Sequence, residues 1–175
     1  MVHRILIVDD DLDDQFVENR AIRKVMSPGS TLNFVNCGDD AVSYMVGEGK
    51  YSDRAKFPFP TLIITDLEMP SGDGMSVLAF IRNNPAWSVV PRVVFSSSDD
   101  WDDVRTAFML GASAYHRKPL QLAETERCLA AILSYWSSSL VPPVDCNGRV
   151  LVSTLPGLRG KRFPPAEGNG TMERL

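Results

Sequence analysis

Through the first 136 residues, short apolar runs alternate with stretches whose apolar positions recur every three or four residues. Arg4 to Val8 carries Ile5, Leu6, Ile7 and Val8 without a polar break, the pattern of a strand buried on both faces. Asp11 to Met26 follows, with Val17, Ala21 and Val25 at four-residue spacing, and predicts a helix. The alternation repeats four more times. Strands are predicted over Leu32 to Asn36, Thr61 to Thr65, Arg92 to Phe95 and Ala112 to Arg117. Helices are predicted over Asp39 to Val46, Met75 to Asn83, Asp99 to Leu110 and Leu120 to Trp136. Ser98 is the expected N-cap of the fourth helix and Gly111 its stop. In the last helix Leu122, Leu129, Ala130, Leu133 and Trp136 form the expected apolar side. Five β-α units in strict alternation imply an α/β fold with a doubly wound parallel sheet, since each crossover returns the chain to the same edge. The flavodoxin-like order 2-1-3-4-5 follows as the expectation.

Composition changes after Trp136. Residues 137–175 hold five prolines and five glycines, with three acids against five bases, and are expected to form an irregular or disordered extension. Within it Val150-Leu151-Val152 is the stretch able to pair as a strand or dock on the body. The expected division is therefore 1–136 as one domain and 137–175 as its appendage. Hydrophobic residues at 44% and charged ones at 23% describe an ordinary globular chain. The net charge of −4 supplies no basic field for nucleic acid, so no direct DNA binding is expected. No apolar run approaches the roughly 18 residues of a membrane span. Met-Val-His-Arg-Ile-Leu-Ile-Val running into three aspartates does not read as a signal peptide. The three cysteines, Cys37, Cys128 and Cys146, form no Cys-x-x-Cys pair and fit a reducing cytoplasm.

The chemistry gathers at the carboxyl ends of the strands, where ligands bind in such folds. The first strand ends on Asp9-Asp10-Asp11, the third on Asp66, the fourth on Ser96-Ser97, and the fifth leads into Lys118-Pro119. Adjacent first and third strands bring Asp9, Asp10 and Asp66 within a few ångströms, where like charges repel unless a cation is present. Oxygen-only donors with room for water suit Mg²⁺. Carboxylates, a hard cation, the Lys118 ammonium and the Ser96 hydroxyl are the parts of a phosphoryl-transfer site. Asp11 reads instead as a helix N-cap, and Asp99, Asp100, Asp102 and Asp103 as acids favoured by a helix dipole. His116 reads as a strand residue near the surface, and Trp87 and Trp101 as partly exposed aromatics.

Asp9-Asp10, the segment Thr65-Asp66-Leu67-Glu68-Met69-Pro70-Ser71-Gly72-Asp73-Gly74, Ser96, and Tyr115 three residues before Lys118-Pro119 resemble the receiver domain of two-component response regulators. The resemblance covers about residues 3 to 136 and is specific as a set. Within the family the chain is most similar to small single-domain regulators of the kind that partner phytochrome histidine kinases. Gly47 to Tyr51, the long approach to the third strand, Phe-Ser-Ser-Ser-Asp and the final Tyr135-Trp136 prompt that narrower match. The resemblance implies the CheY-like form of the sheet and assigns Asp66 as acceptor of a phosphoryl group from a kinase phosphohistidine. It implies Mg²⁺ held by Asp10, Asp66 and the Glu68 carbonyl, with Asp9 acting through water. Lys118 and Ser96 would hold the phosphoryl oxygens, and Tyr115 would turn inward behind Ser96. Glu68 and Ser98 stand where the family tunes hydrolysis.

Two other readings stay open at this point. Asp9-x-Asp11-x-Asp13 also resembles the nucleophile loop of haloacid-dehalogenase-type phosphatases, which need a further acidic pair after the lysine. Only Glu124 and Glu126 follow here, within a helix. A non-phosphorylated scaffold on the receiver fold is the third reading, and the intact acid set argues against it. With no output module recognisable in 137–175, signalling is expected by protein contact or by phosphorelay, not by enzymatic turnover. A homodimer through the fourth helix, fifth strand and last helix is expected, with Phe108, Met109, Leu133 and Trp136 on that face.

Overall fold

The computed structural model describes residues 3–151 except 71–72 and 85–86. Five strands, β1 (Arg4–Val8), β2 (Thr31–Val35), β3 (Leu62–Thr65), β4 (Arg92–Ser96) and β5 (Ala114–Arg117), pair in parallel in the order β2-β1-β3-β4-β5. The helices between and after them are α1 (Leu12–Val25), α2 (Gly38–Val46), α3 (Gly74–Arg82), α4 (Trp101–Met109) and α5 (Leu122–Ser138). The predicted sheet order is met, the described residues add a short 3-10 turn at Gly49–Tyr51 to the five helices, and α5 runs two residues past the expected Trp136.

β1 reads as an unbroken apolar run because both of its faces are covered. Leu6 and Val8 face a cluster with Tyr44, Met45, Phe59, Ile63, Val77 and Ile81 under α2 and α3. Ile5 and Ile7 face Ile22, Ile64, Phe95, Leu129 and Ile132 under α1 and α5. Each such side chain removed from water contributes about 1.5–3 kcal/mol, which fixes the sheet and therefore the positions of its ends. No helix among the described residues is long and apolar enough to cross a membrane.

Three local expectations are corrected. The inward face of α1 is Glu18, Ala21 and Ile22, and Val25 is exposed, so the expected Val17-Ala21-Val25 stripe is rotated and admits a glutamate. Asp100, not Ser98, caps α4, its carboxylate accepting from the Asp102 amide at 2.8 Å, while Ser98 Oγ bonds the Asp103 carboxylate. Leu133 is core, one of the buried residues of α5 with Leu129 and Ile132, and leaves the expected dimer face. Trp87 is half-buried against Phe59 and Phe80, whereas Trp101 is open to solvent.

After α5 the chain turns beneath the amino ends of the strands. Val144 pairs antiparallel with Val150, and Leu151 N donates to the Pro143 carbonyl. Arg4 donates from Nε to the Phe59 carbonyl and from Nη2 to the carbonyls of Val144 and Asp145. Gly148, at φ 79, lies on the Phe59 ring where a Cβ would collide with it. Val144 is buried as a result. Val152 and residues 153–175 lie outside the described residues.

Candidate functional site

The opposite ends of the same strands build an acidic pocket. Asp66 N donates to the Val8 carbonyl at 2.8 Å, so the end of β3 sits beside the end of β1. Lys118 N donates to the Ser96 carbonyl at 2.7 Å, which holds Lys118 over the end of β4. Gly74 opens α3 directly over Asp66. A Cβ there would meet the Asp66 carbonyl oxygen at 1.9 Å, so only glycine allows the loop to close this tightly.

Lys118 stands at the centre. Its Nζ donates to Asp9 Oδ2 at 2.6 Å, Asp66 Oδ2 at 2.6 Å and Asp14 Oδ2 at 2.8 Å, using all three ammonium protons. The second oxygen of Asp66, Oδ1, accepts from Ser96 Oγ at 2.5 Å and from the amides of Leu67 and Glu68 at 2.5 and 3.2 Å. Asp9 Oδ1 accepts from the Asp11 amide at 2.9 Å. Each buried carboxylate oxygen of Asp9 and Asp66 therefore has a donor.

One ammonium does not balance three carboxylates. Burial works against the charge on Lys118, yet its bonds to Asp14, Asp66 and Asp9 outweigh burial and carry its pKa well above the ordinary lysine value. Asp9 shifts upward as well: burial, at 1% exposure, exceeds what its share of Lys118 returns, and Asp66 adds repulsion. A simple ion pair would lower the acid while raising the base. Here both rise, because burial of Asp9 outweighs the share of Lys118 that it receives.

Asp9, Asp66, Ser96 and Lys118 are thus brought together as expected. Asp10 stands half-buried beside them and makes no hydrogen bond or ion pair among the described residues. The Glu68 side chain points outward and accepts from Ser97 Oγ at 2.8 Å. Tyr115, half-buried among Leu67, Leu78, Val94 and Ala107, donates its hydroxyl to the Ser98 carbonyl at 3.0 Å and not to Ser96. Glu124 and Glu126 are remote from the pocket in their pairings: Glu126 binds Arg20 and Lys24 of α1, and Glu124 faces Arg127. No group of three or more Asp, Glu, His or Cys side chains among the described residues is arranged to hold a metal ion, the carboxylates of Asp9, Asp14 and Asp66 being gathered on Lys118 instead. The donor chemistry nevertheless fits a hard cation, because the carboxylates gathered here outnumber the one ammonium they share.

Two pocket residues escaped the sequence reading. Asp14 shares Lys118, and Glu18, one helical turn further along α1, is 2% exposed with Oε2 lacking any hydrogen-bond partner. Burial first, then the charge of Asp9, holds the Glu18 carboxyl protonated far above the ordinary range. The four-residue spacing of Asp14 and Glu18 was the available signal, since it places both on one face of α1.

The model of the response regulator receiver domain matches residues 5–130. The response regulator Rcp1 of Synechocystis is 29% identical over 139 residues, covering 79% of this chain and 91% of that protein. The two-component response regulator ARR7 of Arabidopsis thaliana is 30% identical over 130 residues, or 74% of this chain and 62% of its own length. Among solved structures, the phosphorylated cyanobacterial phytochrome response regulator RcpA superposes with a TM-score of 0.75 at 28% identity, over 82% of this chain and 100% of that one. The Mn²⁺-bound form of Rcp1 gives 0.73 at 29% identity, over 81% and 99%.

Proposed function

The chain belongs to the response regulator receiver family, and we propose that it is a phosphorylation switch whose acceptor is Asp66. The observation that carries this is the pair of bonds on one carboxylate, Ser96 Oγ on Oδ1 and Lys118 Nζ on Oδ2. An Asp66 oxygen attacks the phosphorus of a kinase phosphohistidine, the P–N bond breaks, and the leaving imidazole takes a proton. Lys118 follows the charge from the carboxylate to the phosphoryl oxygens, and Ser96 turns its hydroxyl from Asp66 Oδ1 to the same group. Asp9, Asp10, Asp66 and the Glu68 carbonyl would hold Mg²⁺, which supplies charge neutralisation at the transferring phosphoryl group. The divalent ion in the related Rcp1 structure supports a metal of this class. Movement of Ser96 frees space for Tyr115 to leave the Ser98 carbonyl and turn inward, which alters the α4-β5-α5 surface.

A sensor histidine kinase, of the phytochrome type by likeness to the relatives, is the expected partner. Leu12 and Phe16 at the start of α1 and Leu120 and Leu122 before and within α5 leave apolar surface beside the pocket, Leu120 at 99% exposure. Exposed apolar side chains around a charged mouth fit a docking helix that presents a phosphohistidine. Phe108 and Met109 are exposed on α4 and support a homodimer through the α4-β5-α5 face. The protein then signals by contact or relay in the cytoplasm, without binding DNA and without catalysing more than its own dephosphorylation.

The test is incubation with acetyl phosphate and Mg²⁺ followed by intact-mass measurement. One phosphoryl adduct is expected on the parent and none on Asp66→Asn, with the fold retained by circular dichroism. Labelling that persists in Asp66→Asn would remove Asp66 as acceptor, and steady phosphate release from an Asp9 adduct would make the protein a phosphatase.

A further inference from the structure

Of the three carboxylates on Lys118, one has no part in the chemistry described so far. Asp9 and Asp66 stand at the ends of β1 and β3, and their side chains are 1% and 9% exposed. Asp14 comes from the first turn of α1, its side chain is 46% exposed, and its Oδ2 accepts from Lys118 Nζ at 2.8 Å. It neither receives the phosphoryl group nor belongs to the expected metal ligands. An ion pair within reach of water contributes little to stability, so holding the fold together does not account for it.

An ammonium has three protons, and Asp9, Asp14 and Asp66 take all of them. A phosphoryl group on Asp66 brings three further acceptor oxygens to the same cation. For Lys118 to donate to them, a bond that it makes at rest must break. Releasing Asp9 would leave a buried carboxylate oxygen without a donor, which is costly. Asp66 carries the group itself, so the cation stays beside it. Asp14 is the arm whose place water can take.

We propose that Asp14 is a positioning residue acting through Lys118: it holds the ammonium in the resting pocket and competes with the phosphoryl group for it, which biases the switch toward its unphosphorylated form. The inference rests on Asp66 being the phosphoacceptor. It accounts for a third acid on an ammonium that two buried carboxylates already share. It also accounts for the origin of that acid in a helix: a side chain of α1 within reach of water is let go without disturbing the ends of the strands.

The experiment titrates the full chain with beryllofluoride in Mg²⁺, read by the fluorine resonances of the bound complex. Asp14→Ala removes the competing acceptor and should tighten binding by about three- to fivefold, the scale of an ion pair open to water. Asp13→Ala removes an acid of the same helical turn that Lys118 does not bind. In physiological salt it should stay within about 1.5-fold of the parent, because exposed charges are screened there. Asp14→Asn keeps an acceptor without its charge and should fall between the parent and Asp14→Ala. Loss of a merely structural contact weakens a ligand or leaves it unchanged, whereas loss of a competitor tightens it. Should Asp14→Ala fail to fold, Asp14→Asn carries the same test with the smaller gain. Parent-like or weaker binding by the Asp14 variants overturns the proposal and leaves Asp66 as acceptor. Equal tightening by Asp13→Ala and Asp14→Ala also overturns it, since net charge would then explain both. A parent that binds no beryllofluoride, or an Asp66→Asn variant that binds it equally well, overturns the phosphoacceptor reading and this inference with it.

Discussion

Two partly buried cations stand at opposite ends of β1, and their partners differ in kind. At the carboxyl end Lys118 faces three carboxylates at 2.6 to 2.8 Å. At the amino end Arg4 faces three backbone carbonyls at 2.6 to 3.2 Å. Carbonyl oxygens take up the guanidinium's donors without bringing a competing negative charge, so that end is a purely structural tie. Carboxylates overfill an ammonium and leave negative charge that a metal ion or a repositioned donor can answer. The same strand is thus stapled at one end and poised at the other.

Removing the cation at the poised end has the larger effect. Lys118→Ala should still accept some phosphoryl group from acetyl phosphate, but at least about tenfold more slowly, because a charge stabiliser of the transition state is gone. The phosphorylation-linked change in Trp101 and Tyr115 spectra should vanish, since Lys118 no longer couples the two states. A mass-resolved time course and fluorescence spectra check both parts. Undiminished spectral change in the phosphorylated variant would place the coupling elsewhere.

At the stapled end the damage is to stability. Arg4→Met orphans the carbonyls of Phe59, Val144 and Asp145 and should cost about 2–3 kcal/mol in urea unfolding. Phosphorylation of the folded variant should change by less than about twofold, because the two ends share no partner. A large kinetic loss with intact fold would mean that the ends communicate, which the comparison denies.

The smallest effect sharpens the idea of surplus charge. Glu18 has a folded pKa well above its unfolded value near 4.5. Above that pH the unfolded chain releases a proton that the folded chain keeps, so stability falls as pH rises until the folded carboxyl itself titrates. The slope from this group is at most about 1.4 kcal/mol per pH unit. Glu18→Gln lacks the proton, and its stability should fall less steeply between about pH 5 and about pH 7. Asp9 contributes with the same sign in both proteins and cancels from the difference. Parallel unfolding curves across that range would show Glu18 ionised in the fold.

The sheet order and the pocket's main residues were legible because burial and chemistry both wrote local patterns. A strand covered on two faces must be apolar throughout, as Ile5 to Val8 are, and acids placed at strand ends stand out against such runs. What stayed hidden depended on rotation or on contacts across the chain. Glu18 interrupts the apolar face of α1, and reading the face through Val17 and Val25 instead turned it by one position. Asp100 and Ser98 are both competent caps, and the choice depends on where the chain leaves β4. Tyr115 could be placed by sequence near the pocket, but its hydroxyl direction is set by the Ser98 carbonyl. The apolar Val150-Leu151 marked a stretch able to pair, but its partner Val144 and its docking on Arg4, 140 residues earlier, had no local sign.

That last separation has a bearing on synthesis. A chain made from its amino end exposes Arg4 first and the Val144 carbonyl almost last. The five β-α units can collapse one after another as they emerge, each adding to a sheet already begun. The bonds from Arg4 Nη2 to Val144 and Asp145 come last, because the segment that supplies those carbonyls follows α5, whereas the Nε bond to Phe59 needs only the chain up to β3. Closing so long a loop is slow only in the entropy of bringing its ends together, and the finished sheet has by then removed most of that freedom. A chain that stops short of residue 144 therefore keeps the Phe59 carbonyl as a partner for Arg4 Nε and leaves Nη2 to solvent.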